Sequence, residues 1–130
     1  MGIVFHEEIS MSKYIPRRKT DTELKAITDE VVKRIFENKR LKIAKVILYG
    51  SYARGNSNDY SDIDIMVLCD NRETELDDVR YLTNVISSRI SLENDVDVAV
   101  LLKDQKQFEQ WVNVLPFYQK VRNEGIVLYG

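Results

Sequence analysis

Apolar residues recur at helical spacing in two long stretches of the chain, where they repeat every three or four positions. The apolar positions of the first stretch are Leu24, Ile27, Val31 and Ile35, and those of the second are Leu76, Val79, Leu82, Ile86 and Ile90. Thr20 and Glu23 precede the first stretch in the Ser/Thr-x-x-Glu order of a capping box. These patterns predict helices over about residues 21 to 38 and 74 to 91.

Three apolar runs rich in valine and isoleucine are typical of strands. They cover residues 43 to 49, 62 to 68 and 95 to 102. Asp104 is placed to cap a following helix, which Pro116 breaks or restarts. A short second helix should then stop at Gly125, before a last strand over residues 126 to 129.

The order of these elements predicts a small α/β (α+β) domain. A chain of 130 residues fits one compact domain. We expect that domain over residues 20 to 130, after an N-terminal extension, residues 1 to 19, whose only strand-like stretch is Ile3 to Phe5. We expect Cys69 in the core. We also expect there three aromatic residues at helical spacing in the last third of the chain: Trp111, Phe117 and Tyr118.

Composition and charge narrow the class of protein. The formal net charge of -2 does not suggest a nucleic-acid binder that is basic throughout. Cys69 is the only cysteine, so an intramolecular disulfide is impossible. His6 is the only histidine, which excludes serine–histidine and cysteine–histidine nucleophile pairs. The sequence has no signal peptide and no long apolar run, so we expect a cytoplasmic protein with no membrane association.

Asp62 and Asp64 are the first candidate for chemistry. Alternate residues of a strand lie on one face, so both carboxylates should point the same way, with Cα atoms roughly 6.5–7 Å apart. Two hard anionic ligands at this spacing suit Mg²⁺ held together with substrate phosphates. A half-exposed strand that begins with solvated polar residues would carry the same short pattern.

Asp97 is the candidate for a third carboxylate. It lies between Val96 and Val98 in the third apolar run, where an unpartnered buried acid would cost free energy. Like charges brought together repel one another, and a bound cation removes that repulsion. Asp95 is expected on the same face and is the alternative ligand. We prefer Asp97 because it lies further into the predicted strand.

A turn precedes the two aspartates. Gly50 follows the first predicted strand, Ser51 stands where a short helix could begin, and Arg54 is near enough to add positive charge. Glycine allows the backbone to approach a ligand closely, and a helix N-terminus offers N–H groups to phosphate. We therefore expect Gly50, Ser51 and Arg54 to bind the triphosphate of a nucleotide. The P-loop pattern and the G-x-G-x-x-G fingerprint are both missing from the sequence.

These residues carry a resemblance to a known family. Gly50-Ser51, ten residues and then Asp62-Ile63-Asp64 resemble the GS-x10-D-x-D signature of the DNA polymerase β-like nucleotidyltransferase superfamily. The short chain, the stretch "DVDVAVL" and the tail "FYQKVRNEGIVLYG" are similar to its minimal nucleotidyltransferase (MNT) branch. The resemblance covers residues 22 to 130. It implies a palm-like fold, with a small mixed sheet flanked by helices.

The resemblance also implies roles for the site residues. Asp62 and Asp64 would hold two Mg²⁺ ions, and Asp97 would share the metal that activates an acceptor hydroxyl. Gly50 and Ser51 would hold the β- and γ-phosphates of ATP or another nucleoside triphosphate. The hydroxyl would attack the α-phosphorus, and pyrophosphate would leave.

The biological role implied by the resemblance is that of an antitoxin. Many MNT proteins are paired with a HEPN-domain toxin, and such an antitoxin can transfer AMP to a tyrosine of its toxin. One alternative is a transferase that modifies a small molecule such as an antibiotic, with a homodimer supplying the acceptor site. Another is a non-catalytic module that neutralises a HEPN partner by binding it.

Overall fold

The computed structural model describes residues 15–130. The predicted strand at Ile3 to Phe5 and the lone His6 lie outside the described residues. The helices are α1 (Asp21–Phe36), α2 (Ser51–Arg54), α3 (Glu73–Asp77), α4 (Arg80–Asn94), α5 (Gln105–Trp111) and α6 (Pro116–Glu124). The strands are β1 (Ile43–Tyr49), β2 (Ile63–Cys69), β3 (Val98–Asp104) and β4 (Ile126–Tyr129).

The four strands form one mixed sheet in the order β3-β2-β1-β4. Strand β1 is antiparallel to both β2 and β4, whereas β2 and β3 are parallel. This mixed sheet with helices packed against it confirms the predicted fold class. No helix among residues 15–130 is long and apolar enough to cross a membrane.

The sheet buries apolar side chains on both faces because residues of a strand alternate between them. Ile65 and Val67 of β2 belong to the larger core, which includes residues of α1, α3 and α4. Met66 and Leu68 belong to a smaller core with Phe108 of α5 and Val121 of α6. Helices α5 and α6 pack on the face of the sheet that carries the smaller core. The candidate site lies beside this core.

The first strand has the predicted bounds, residues 43 to 49, and the capping residues predicted the helix ends closely. The Thr20 hydroxyl accepts a hydrogen bond from the Glu23 amide at 3.2 Å, and the Glu23 carboxylate accepts one from the Thr20 amide at 3.0 Å, which completes the capping box. Asp104 caps α5 by accepting a hydrogen bond from the Lys106 amide. Pro116 stands at the first turn of α6, so the predicted restart is confirmed.

Two predicted elements were wrong in extent. The helix expected over residues 74 to 91 is two helices, α3 and α4, because the chain turns at Asp78 and Val79. Leu76, before the turn, and Val79, within it, are both buried. The strand expected from residue 95 begins only at Val98, because Asp95 takes a left-handed conformation, with φ 52°, at the C-terminus of α4.

Two aromatic residues expected in the core are exposed. Trp111 is 45% exposed and Phe117 is 44% exposed, whereas Cys69 is fully buried as predicted. Phe117 contacts Tyr49 edge-on, with ring centroids 5.6 Å apart. Its ring therefore lies at the rim of the smaller core, next to the end of β1.

Residues before α1 are tied to the loop between α2 and β2. The backbone N–H of Lys19 donates to the Tyr52 hydroxyl at 2.8 Å. Arg18 donates from its amide to Asp59 at 2.9 Å and from its side chain to Ser57 at 2.7 Å. This segment therefore braces the loop that leads into the candidate site.

Candidate active site

Gly50 brings the turn after β1 directly against Asp64. Its φ of 77° lies in the left-handed region, which favours glycine, and a Cβ at this position would overlap the Asp64 carboxylate. Tyr49, the last residue of β1, is the register partner of Asp64 in β2. The turn and the second aspartate of the D-x-D pair are therefore in contact.

Helix α2 begins at Ser51, as the sequence predicted. The amides of Ala53 and Arg54 donate to the Gly50 carbonyl at 3.1 and 3.0 Å, which closes this short turn. The first amides of a helix have no partner within it, so they can bind a ligand. Tyr52 is buried in the larger core and anchors α2 to the domain.

Asp62 and Asp97 lie side by side at the start of two parallel strands. Ile63 pairs with Val98 and Asp64 with Ala99 in the ladder, and the Ile63 amide donates to the Asp97 carbonyl at 2.9 Å. Ile63 and Val98 point into the larger core. Because residues alternate, Asp62, Asp64 and Asp97 share the opposite face of the sheet.

The exposure of Asp97 corrects part of the sequence argument. Asp97 precedes β3 and is exposed, so it bears no penalty for burial in an apolar strand. The partly buried acid is Asp64 instead. Burial raises the pKa of the Asp64 carboxyl, the negative charge of Asp62 raises it further, and Arg54 opposes both. Asp95 does not share the strand face, because it belongs to the left-handed turn that ends α4.

The donor set suits a hard cation, although it is not a preformed cage. Among residues 15–130, no group of three or more His, Cys, Asp or Glu side chains is arranged to hold a metal ion. Mg²⁺ commonly keeps several waters and uses one or two carboxylates together with substrate phosphates. The oxygen-only pair Asp62 and Asp64 fits that requirement, and a cation there would offset the raised pKa of Asp64.

A cavity of about 330 Å³ lies beside the Gly50 turn, and we call it the turn cavity. It is lined by Tyr49, Gly50, Ser51, Arg54, Asp64, Phe117, Lys120, Val121 and Glu124. Predicted residues Gly50, Ser51, Arg54 and Asp64 therefore share one cavity. Arg54 forms an ion pair with Glu124, with 3.5 Å between Nη1 and Oε2.

Sequence reasoning missed the wall that α6 contributes. Four of its residues line the turn cavity at positions i, i+3, i+4 and i+7: Phe117, Lys120, Val121 and Glu124. This spacing marks one face of a helix, and it was visible in the sequence. The strand pairing that brings this face to Gly50 was not.

Tyr49 gives the turn cavity a neutral, aromatic corner. Burial raises the pKa of its phenol to about 12, and the nearby Asp64 carboxylate contributes to the shift. The phenol is therefore protonated at neutral pH, so it adds no negative charge to the cavity.

A second cavity, of about 130 Å³, includes Asp62 of the D-x-D pair, and we call it the acidic cavity. It is lined by Pro16, Arg17, Asp59, Tyr60, Ser61, Asp62, Asp95, Val96 and Asp97. Asp62 and Asp97 thus share a cavity that does not include Asp64. The predicted site residues are therefore divided between two cavities, although Asp62 and Asp64 are only two positions apart in the chain.

Comparisons with known proteins identify the family of this chain. The family model described as "Polymerase beta, Nucleotidyltransferase" matches residues 30–94, which include the turn and both aspartates of the pair. A relative from Methanocaldococcus jannaschii, named "Putative protein adenylyltransferase MJ0604", is 34% identical over 107 residues. The match covers 82% of this chain and 98% of the relative. The chain belongs to the polymerase β nucleotidyltransferase family and is a nucleotidyltransferase.

Solved structures share the fold. A "putative nucleotidyltransferase" from Sulfolobus solfataricus is similar with a TM-score of 0.57 at 20% identity, over 83% of this chain and 80% of that one. A mutant of the toxin-antitoxin MntA-HpeT is similar with a TM-score of 0.51 at 20% identity, over 78% of this chain and 72% of that one. Both likenesses establish the nucleotidyltransferase fold for this chain.

Proposed function

We propose that this nucleotidyltransferase transfers a nucleoside monophosphate, with AMP from ATP as the first candidate, to a hydroxyl group of a partner protein. The observation that carries the proposal is the contact between the Gly50 turn and the Asp64 carboxylate. This contact brings a backbone suited to phosphate against an acid suited to Mg²⁺. The name of the relative from M. jannaschii, a protein adenylyltransferase, supports a protein as the acceptor.

In the proposed reaction, one cavity binds the nucleotide phosphates and the other receives the acceptor hydroxyl. Gly50 and Ser51 bind the β- and γ-phosphates in the turn cavity, and Arg54 adds positive charge there. The acceptor hydroxyl approaches from the acidic cavity, where Asp97 orients it and accepts its proton. The hydroxyl oxygen bonds to the α-phosphorus, the bond from that phosphorus to the bridging oxygen breaks, and pyrophosphate leaves.

Asp62 and Asp64 are the residues that would hold two Mg²⁺ ions. Bound there, Mg²⁺ would supply the positive charge that stabilises the attacking and the leaving oxygens. The burial of Asp64 serves this purpose, because a partly desolvated carboxylate binds a cation more strongly than a solvated one does.

We further propose that the acceptor protein is a HEPN-type toxin and that this chain acts as its antitoxin. The support is the likeness in fold to the toxin-antitoxin MntA-HpeT and the resemblance of the sequence to the MNT branch. The four strands within residues 15–130 form a single sheet, and the acidic cavity is small, at about 130 Å³. An acceptor side chain presented by another protein fits such a shallow site.

The test is a transfer assay with the purified chain. The chain is incubated with Mg²⁺ and α-labelled ATP, and in turn with the other labelled nucleotides, together with a HEPN-domain protein if the genome encodes one beside this gene. We expect label on the HEPN protein, and we expect EDTA to prevent it. Asp64→Asn should lower the rate at least about 100-fold, because it removes a charge expected to be worth several kcal/mol.

The matched control is Asp70→Asn, which changes an exposed aspartate that follows the opposite end of β2. It should transfer at the rate of the unchanged chain. Tight binding to the HEPN protein without transfer of any nucleotide would instead favour neutralisation by contact. Transfer to a small hydroxyl compound alone would favour the alternative of small-molecule modification.

A further inference from the structure

Helix α6 is held firmly beside the turn cavity. Val121 is buried in the smaller core, and Arg122 and Gln119 donate from their side chains to Asn113 at 2.9 Å each. Gly125 ends the helix with φ -70°, so its role is not a left-handed turn. A Cβ there would overlap the Val121 carbonyl and the Ile47 side chain, so glycine allows α6 to pack against β1. The backbone of α6 is therefore held in place, and so are the points from which its side chains enter the cavity wall.

Lys120 is the cation of that wall. It lines the turn cavity and is exposed, and within the part of the chain that the structure describes its ammonium group has no ion pair or hydrogen-bond partner. Glu124, one turn later on the same face, pairs with Arg54 instead. A lysine four residues before a glutamate is the weaker order for a helical ion pair, which is consistent with this choice.

The charges of the turn cavity then suit a polyanion. Arg54 and Lys120 provide two cations, and Asp64 and Glu124 provide two carboxylates. A cation at Asp64 would leave the cavity with net positive charge, as the proposed function requires. A single phosphate can be satisfied by one cation, whereas a triphosphate offers several anionic oxygens to cations on different walls.

We propose that Lys120 binds the β- or γ-phosphate of the nucleoside triphosphate, as the second cation of the turn cavity beside Arg54. The inference deepens the proposed function, because it takes the turn cavity as the triphosphate site. It adds a binding residue from the C-terminal helix, which lies outside residues 30–94, the span of the family model.

The experiment measures binding rather than transfer. Calorimetry compares the affinity of the unchanged chain and of Lys120→Met for inorganic tripolyphosphate, ATP and AMP, each with Mg²⁺. Methionine keeps the apolar stem of the side chain and removes its charge. We expect affinity for tripolyphosphate and ATP to fall about 10-fold or more, as for a lost hydrogen bond to a charged group, with little change for AMP.

The matched control is Lys106→Met on α5, an exposed lysine that does not line the turn cavity. Its affinities should equal those of the unchanged chain, and both variants should unfold at the same temperature. Equal binding of tripolyphosphate by the unchanged chain and Lys120→Met would overturn the inference. So would an absence of tripolyphosphate binding to the unchanged chain.

The two proposals can fail separately. If tripolyphosphate binding depends on Lys120 but no nucleotide is transferred to any acceptor, the proposed function fails and the phosphate site stands. If transfer proceeds and Lys120→Met leaves both tripolyphosphate affinity and the KM for ATP unchanged, the proposed function stands and the role of Lys120 fails.

Discussion

The two cavities that flank the D-x-D pair differ in charge and in burial. The turn cavity combines Arg54 and Lys120 with a partly buried Asp64 and the rigid Gly50 turn. The acidic cavity brings together four aspartates and one arginine: Asp59, Asp62, Asp95, Asp97 and Arg17. One short sequence motif therefore supplies acids to two environments: in the turn cavity two carboxylates face two cations, whereas in the acidic cavity four carboxylates face one.

The arginine of the acidic cavity is already engaged. Arg17 pairs with Glu23, the same carboxylate that completes the capping box of α1, with 2.8 Å between Nη1 and Oε1. This pairing holds the pKa of the Glu23 carboxyl well below its usual range. Arg17 is therefore already paired with a carboxylate outside the cavity, and the four aspartates outnumber it, so the cavity keeps its acidic character.

The largest expected effect concerns Asp97, the third carboxylate of the candidate site. Asp97→Asn should lower the transfer rate about 100-fold, because it removes the group proposed to accept the acceptor proton. Asp95→Asn should change the rate little, since asparagine tolerates the left-handed conformation that residue 95 adopts. Single-turnover transfer of labelled AMP measures both variants.

The two aspartate variants control for each other, because both remove one negative charge from the same cavity. If Asp95→Asn lost as much activity as Asp97→Asn, general acidity of the cavity would matter rather than one positioned carboxylate. If only Asp95→Asn lost activity, the preference for Asp97 would be wrong.

A second, smaller effect concerns the turn cavity and its backbone. Gly50→Ala should destabilise the protein by about 1–3 kcal/mol and displace the Asp64 carboxylate, so that transfer also slows. Gly55→Ala is the comparison variant, since Gly55 also has a positive φ of 78° but takes the ordinary left-handed conformation, with ψ 16°, and has no heavy atom near its would-be Cβ. It should cost only the left-handed strain, about 1 kcal/mol, and keep activity. Urea unfolding and the transfer assay measure the two variants side by side.

Gly50→Ala carries two costs that Gly55→Ala does not: the overlap with Asp64, and a backbone conformation, φ 77° and ψ -160°, that is essentially restricted to glycine. Equal losses of stability together with full activity of Gly50→Ala would mean that the close approach has no functional importance.

The smallest expected effect is a gain in stability. The pKa of Asp64 is raised in the folded protein, so its ionised form favours the unfolded chain. Without metal at pH 7, Asp64→Asn should raise the free energy of unfolding by about 0.5 kcal/mol, a modest gain because solvent still screens this carboxylate. The gain should shrink as the pH falls toward the usual aspartate range, where both states are protonated. Urea unfolding in EDTA at pH 7 and pH 4 measures it, and a loss of stability at pH 7 would contradict it.

Local features of the sequence predicted much of the fold, and they singled out the turn and the aspartate pair of the candidate site. The capping box at Thr20 and the spacing of Gly50-Ser51 from Asp62 depend only on nearby residues, so they could be interpreted without a structure. The environment of Asp97 was misjudged, because the start of β3 depends on how α4 ends at Asp95. Lys120 was missed, because its place at the site depends on the packing of α6 against β1, a contact between distant parts of the chain.

The position of α6 has a consequence for the order in which the protein is made. Strand β1 pairs with β4, so that Val46 meets Tyr129, and α6 stands between them along the chain. A nascent chain that has already formed the Gly50 turn and the D-x-D pair still lacks one wall of the turn cavity. If nucleotide binding needs that wall, the enzyme becomes competent only after residues 116–129 have left the ribosome and paired with a strand made much earlier.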